Sequence, residues 1–147
     1  MAVRVQEEDF DLGVEAAALR GSGDAGALVT FSGIVRGGEG DVAAMTLEHY
    51  PGMTEAALEE IEAEACARWD LSASLIIHRV GRLMPGENIM MVAAASRHRK
   101  AAFEAAEFLM DYLKIRAPFW KKEETPEGAR WVDAREADDD AASRWAK

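Results

Sequence analysis

Apolar residues along the chain recur at two spacings, every second position and every third or fourth, and the switches between them lay out the elements. Val3 and Val5 predict a short strand. Residues 9–20 have helical composition, with Leu12, Ala16 and Leu19 on one face and Gly21-Ser22-Gly23 as a stop. Gly26 to Val35 predicts a strand bounded by glycines, and Val42 to Tyr50 predicts a second. The glycine-rich stretch Gly37-Gly38-Glu39-Gly40 lies between them, so residues 26–50 are expected to form a hairpin with a mobile tip over 37–41. After Pro51-Gly52, a helix is predicted with Met53, Ala57, Ile61 and Ala65 at spacing four and Leu58 and Trp69 flanking. Glu55, Glu59, Glu62 and Glu64 are expected on its other face. Ala73 to Val80 and Asn88 to Ala95 predict apolar strands, joined by a turn signal from Arg82 to Glu87. A third helix runs from about Arg97 to Lys114 and is ended by Pro118. Phe119 to Glu123 is extended, Pro126-Glu127-Gly128 turns, and Ala129 to Val132 returns as a strand. Arg135 to Trp145 predicts a C-terminal helix. There is no internal repeat and no low-complexity linker. Strand hairpins between helices predict one α+β domain over residues 1–147, not a doubly wound parallel sheet.

The third helix places its cations unusually. On a helical wheel, Phe103, Ala105, Ala106, Leu109, Met110, Tyr112 and Leu113 form the apolar face. Lys100, Glu104, Glu107 and Asp111 form a narrow polar stripe, with a Lys100–Glu104 pair one turn apart. His98 and Arg99 fall on the apolar side, and Lys114 falls at the edge between core and water. Ser96 is the expected N-cap, which puts Arg97-His98-Arg99-Lys100 into the first turn. A helix N-terminus is already partly positive, so this crowding is unfavourable unless an anion sits there. His98 is either a hydrogen-bonded core or surface histidine or an anion ligand, and Arg99 either holds an ordinary carboxylate or joins it.

Charge sharpens that picture. The chain has 147 residues and a formal net charge of −10. Between residues 97 and 122 seven Lys and Arg face only Glu104, Glu107 and Asp111, a local balance of +4 that leaves −14 on the remainder. Either those cations belong to a salt-bridged surface, or they serve a pocket for a small anion. The acidic total argues against nonspecific nucleic-acid binding. No apolar run reaches the roughly 18 residues that a membrane span needs. The sequence Met1-Ala2-Val3-Arg4-Val5-Gln6-Glu7-Glu8 lacks an apolar signal segment. The single cysteine, Cys66, cannot form an internal disulfide, and acidic neighbours make it an unreactive thiol. A reduced, cytoplasmic protein is the expectation. His49, His78 and His98 have no metal-ligand spacing, and His78-Arg79 at a strand end reads as structural or interfacial. Gly33-Ile34-Val35-Arg36-Gly37-Gly38 is either a plain hairpin turn or a backbone cradle with Arg36 as clamp. Phe119 and Trp120 beside Lys121-Lys122 are either core or interface aromatics or a platform for a flat ring.

Several motifs then coincide. Gly26-Ala-Leu-Val-Thr-Phe-Ser-Gly-Ile-Val-Arg36 precedes Leu47-Glu-His-Tyr-Pro-Gly-Met53 and Ile77-His-Arg-Val-Gly81. Ser96-Arg-His-Arg99, Ala102-Phe103-Glu104 and Asp111-Tyr-Leu-Lys114 follow, then Ala117-Pro-Phe-Trp-Lys-Lys-Glu123 and Gly128-Ala-Arg-Trp-Val132. This order resembles the MoaE family, the large, catalytic subunit of molybdopterin synthase, from about Gly26 to Trp145. The resemblance implies an α/β hammerhead-type fold with a mainly antiparallel sheet and a small additional β lobe. It implies conversion of cyclic pyranopterin monophosphate to molybdopterin during molybdenum cofactor biosynthesis. Two sulfurs arrive as thiocarboxylates on the C-terminal Gly-Gly of a small ubiquitin-like partner. The implied assembly is a heterotetramer around a homodimer of this subunit, with no cofactor and no metal. Carried over by position, Lys114 and Lys121 are the catalytic lysines. Arg36, His98 and Arg99 are ligands of the substrate's phosphate and pterin, and Ile34, Val35, Lys122 and Glu123 line the pocket. The stretch Gly37-Gly38-Glu39-Gly40-Asp41 is shorter and richer in glycine than is usual in the family, which leaves polar contacts from the tip open. Two readings of other classes compete: a noncatalytic module for a phosphorylated metabolite or a partner's tail, and a lysine-dependent Schiff-base enzyme.

Overall fold

The structure, a computed structural model, describes residues 2–37, 43–132 and 136–146. In chain order it contains β1 (Ala2–Gln6), α1 (Leu12–Ala18), β2 (Ala27–Ile34), β3 (Ala44–His49) and α2 (Met53–Arg68). These are followed by β4 (Leu71–Arg79), β5 (Gly81–Leu83), β6 (Asn88–Ser96), α3 (Arg99–Arg116), β7 (Phe119–Thr125) and β8 (Gly128–Val132). The helix α4 (Glu136–Ser143) and a 3-10 turn, Arg144–Ala146, end it. This is an α+β architecture in two sheets, with strand orders β1-β4-β6-β2 and β5-β3-β7-β8. Among the described residues, only the β1–β4 pairing is parallel.

The first sheet is built on β4 and β6, whose runs are apolar on both faces because both faces are covered. Ile76, Val92 and Ala94 point to one side, where Leu58, Ile61 and Ala65 of α2 and Ala105, Phe108, Leu109 and Leu113 of α3 close over them. Leu75, Ile77, Met91 and Ala93 point to the other, under Phe10, Leu12, Ala16 and Leu19 around α1. This alternation is the strand period of two. The second sheet has a smaller core of Val35, Met45, Leu47 and Leu83.

The expected hairpin over 26–50 does not form. β2 pairs with β6, from Ala27↔Ser96 to Gly33↔Met90, while β3 pairs with β5 and β7 in the other sheet. β6 is buried on both faces and has two edges to fill, and its second edge takes β2, so β2 and β3 belong to different sheets. Positions 38–41 of the expected tip lie outside the described residues. The face of α2 is also rotated from the expected one. Met53 is exposed, whereas Glu62, expected outside, is buried and accepts a 2.6 Å hydrogen bond from the Ser74 hydroxyl. In α3 the buried aromatic is Phe108, edge-on to Trp69, Tyr112 and Trp145, and Phe103 is exposed. Ser96 is the last residue of β6, not a cap: its hydroxyl donates to the Asp70 carbonyl at 2.8 Å. His98 is the N-cap residue and makes no side-chain cap bond, so Arg97 and His98 precede the helix and only Arg99 and Lys100 lie in its first turn.

Candidate functional site at the joint between the sheets

The site begins with β7. Successive strand residues point to opposite faces, and residues paired across an antiparallel ladder share a face. β7 pairs with β3 as His49↔Phe119, Leu47↔Lys121 and Met45↔Glu123. Phe119, Lys121 and Glu123 therefore share the face of Met45 and Leu47, against which Val35 packs. Lys121 Nζ lies 3.8 Å from Glu123 Oε1 on that face. Trp120 and Lys122 point the other way, and the Lys122 amine lies 5.7 Å from the centre of the Trp131 ring. The two adjacent lysines thus serve different surfaces.

Ile34 and Val35 leave β2 beside this face. The Val35 N–H donates to the Glu87 carbonyl at 3.0 Å, and its carbonyl accepts from Gly86 N–H at 2.8 Å. This exchange ties the segment to the turn before β6 and leaves Arg36 exposed at the rim. Ile34 is exposed and Val35 buried.

Lys114 lies in the last turn of α3, where a cation suits the helix dipole. It is exposed, not half-covered at the edge of the core. Its neighbour Arg116 is taken up by Glu60 and Glu64, but among the described residues no carboxylate lies within ion-pair reach of Lys114. The group behind it is His78, at the end of β4. That ring is 5% exposed and stacks on Phe119, with centroids 3.8 Å apart and planes 20° from parallel. Burial pushes its pKa down to about 4, and the positive charge of Lys114 adds to the shift, as does His49. The imidazole is therefore neutral at pH 7. The His78–Phe119 stack adjoins both lysines: Lys114 through its charge on His78, and Lys121 two residues along the same face from Phe119.

The cations at the other end of α3 do not join this group. From His98 to Lys114 the helix rises about 24 Å, so within one chain His98 and Arg99 lie far from both lysines. Both are exposed. Among the described residues, no carboxylate pairs with Arg97, Arg99 or Lys100, so a salt-bridged surface does not account for them. The carboxylates of Glu107 and Asp111 are bound instead by Arg144. Arg79, beside His78, is structural as expected: its guanidinium donates to the Glu7 and Asn88 carbonyls and to Glu87. Cys66 is half-buried, and burial raises its thiol pKa, consistent with an unreactive group. On the far side of the second sheet, Glu48, His49, Tyr50, Pro51, Trp120 and Trp131 line an open depression of about 470 Å³ that neither Lys114 nor Lys121 lines.

His78 is what reading the residues undervalued. Its only signal was position, a histidine ending an apolar strand, which is equally the mark of a structural residue. The period of β7, in contrast, already separated Lys121 from Lys122.

The α+β fold of this chain matches known proteins. Residues 5–116 match the model of the MoaE protein family. The chain is 59% identical to a molybdopterin synthase catalytic subunit from Cereibacter sphaeroides, over 99% of this chain and 100% of that one. Its fold superposes on the molybdopterin biosynthesis MoaE protein of Burkholderia ambifaria with a TM-score of 0.85 at 58% identity, covering 100% and 99% of the two chains. The fold also matches a chain from the Helicobacter pylori complex of subunits 1 and 2 of molybdopterin-converting factor, with a TM-score of 0.72 at 21% identity over 90% and 91%. The chain belongs to the MoaE family. Among the described residues, no helix is long and apolar enough to cross a membrane.

Proposed function

We propose that this chain is the catalytic subunit of a molybdopterin synthase, a sulfurtransferase of molybdenum cofactor biosynthesis that works in the cytoplasm. The substrate is cyclic pyranopterin monophosphate. The sulfurs come as C-terminal thiocarboxylates of a small ubiquitin-like subunit, and two copies of this chain with two small subunits form a heterotetramer. What supports this site is that the charge of Lys114 acts on the His78 ring, that this ring stacks on Phe119, and that Lys121 lies two residues along the same face of β7, beside the Val35–Arg36 segment.

In this reading a thiocarboxylate sulfur attacks a side-chain carbon of the pterin next to Lys114 and displaces the oxygen bound there; water then cleaves the acyl–sulfur bond, which leaves the sulfur on the pterin and returns the carrier as a carboxylate. Lys114 and Lys121 stabilise the negative charge that develops and move protons as the cyclic phosphate opens. Glu123, close to Lys121, orients that amine. Arg36 holds the phosphate at the rim, with Ile34 and Val35 as apolar lining. Lys122, on the opposite face, supports the second sheet through Trp131 and not the reaction. His98 and Arg99 reach a substrate at the lysines only if a second copy presents them. Cys66 supplies no sulfur, in keeping with delivery by another chain.

The deciding experiment mixes the protein with cyclic pyranopterin monophosphate and a thiocarboxylated carrier and measures dithiolene product. The wild type forms product. Lys114→Ala keeps the native Tm, because its side chain is outside the core, and loses about 10²- to 10⁴-fold in turnover. No product from the wild type with a competent carrier overturns the function, and full turnover by Lys114→Ala removes that lysine from the site.

A further inference from the structure

The mechanism above does not use His78, yet this ring holds the place where the two halves of the site meet. β4, in which it is the second-last residue, belongs to the first sheet, and β7, which Phe119 begins, belongs to the second. The two rings lie nearly parallel and in close contact, 3.8 Å between centroids. His78 Nδ1 lies 2.8 Å from the Arg79 carbonyl oxygen. A carbonyl can only accept, so Nδ1 carries the proton, and this bond fixes the rotation of the ring. Immediately beside the stack, α3 hands over to β7: Ala117 caps the helix, and the Phe119 N–H donates to the Ala117 carbonyl at 2.9 Å. Any movement of Phe119 therefore moves both the end of α3, three residues beyond Lys114, and the strand carrying Lys121.

We propose that His78 is a positioning residue of this site: its ring, stacked on Phe119 and tied to the Arg79 carbonyl, is the wedge that sets Lys114 and Lys121 at a fixed separation. The inference rests on the two-lysine site above. Neutrality is part of the fit. The charge of Lys114 on α3 and the neighbouring His49 of β3 both favour the uncharged ring, and Lys121 lies two residues from Phe119 on the same face of β7. A protonated His78 would repel the amines it positions. Geometry of this kind weighs heavily in catalysis, since a misplacement of about 1 Å costs on the order of 10²-fold in rate.

The test uses the full chain with its thiocarboxylated carrier and three variants: His78→Ala, His78→Phe and Phe119→Leu. Two quantities are read: kcat and KM for the pterin, and the yield of a Lys114–Lys121 link made by a short bifunctional amine reagent and mapped by mass spectrometry. His78→Ala is expected to lower kcat by about 10²-fold while KM moves by less than about threefold, and to lose the link. His78→Phe keeps a flat ring on Phe119, so it restores the link and brings kcat back to within about tenfold of wild type. Phe119→Leu removes the other half of the stack, behaves like His78→Ala, and decides the question if that variant does not fold. The wedge is overturned if the link and kcat survive in His78→Ala or Phe119→Leu, or if His78→Phe is as impaired as His78→Ala. If Lys114→Ala proves fully active, the two-lysine reading fails by itself, and the link yield still decides whether His78 spaces the amines.

Discussion

His78 ties stability to pH in a direction that can be worked out. Its pKa, about 4 in the folded chain, lies below the ordinary value of 6.5. The unfolded chain therefore binds a proton between those values that the folded chain does not. Stability from this residue is complete above pH 6.5 and falls as the pH drops toward 4, with a slope approaching 1.4 kcal/mol per pH unit. Urea denaturation at a series of pH values should show this decline in the wild type and a flatter curve in His78→Phe. Asp9 and Glu87, both held below the usual carboxylate range, act with the same sign at lower pH, so the two windows separate. An unchanged slope in His78→Phe would mean that another group carries the proton linkage. Single residues were also where the sequence was least legible. Glu62 looks like one more surface carboxylate until the neighbouring strand supplies Ser74, and the helical wheel puts Phe103 and not Phe108 on the apolar face, whereas packing against α2 and Trp145 buries Phe108. Long-range partners decide such choices, and spacing along one helix cannot reveal them.

At the scale of elements, the corner where β6 turns into α3 constrains the start of β2. Gly26 donates its N–H to the Ser96 carbonyl at 2.9 Å, and a Cβ at position 26 would stand 2.3 Å from the Arg97 carbonyl oxygen. Both contacts are backbone, so no side chain can swing away. Gly26→Ala is expected to push β2 from the corner and cost about 1–3 kcal/mol, read as a Tm lower by several degrees; an unchanged Tm would show that the corner yields freely. The elements themselves were legible. β4, β6, α2 and α3 stand close to where the hydrophobic period put them, because burial on one or both faces writes that period directly, and β8 was marked instead by the turn residues before it. Pairing was not. Two strands joined by a glycine-rich stretch read as a hairpin, but β2 contributes more by closing the open edge of β6 than by pairing with β3. That preference lies in β6, more than fifty residues further on, and adjacency in sequence predicts adjacency in the sheet only about two times in three.

For the whole molecule, the proposed function requires one substrate to meet cations at both ends of α3. The proposed site draws Lys114, Lys121 and the Arg36 segment to the joint between the sheets, while Arg99 and His98 stand about 24 Å from Lys114 along the helix. The sequence showed the local excess of positive charge but not this separation, since residues close on a helical wheel can be far apart along its axis. A closed two-fold dimer resolves the distance, because each copy can offer its His98–Arg99 end to the other's lysines. This makes a quantitative prediction. Lys114→Ala and Arg99→Ala are each expected to be nearly inactive alone. When the two are mixed, unfolded and refolded together at equal amounts, half of the dimers pair one of each. If the site is shared between copies, each mixed dimer carries one site with both residues intact, so the mixture recovers about a quarter of wild-type turnover. If Arg99 serves the Lys114 of its own chain, every site in every dimer lacks one residue or the other, and refolding recovers nothing. Measuring turnover before and after refolding, with the dimer confirmed by sedimentation, distinguishes a shared pocket from an Arg99 that binds some other anion.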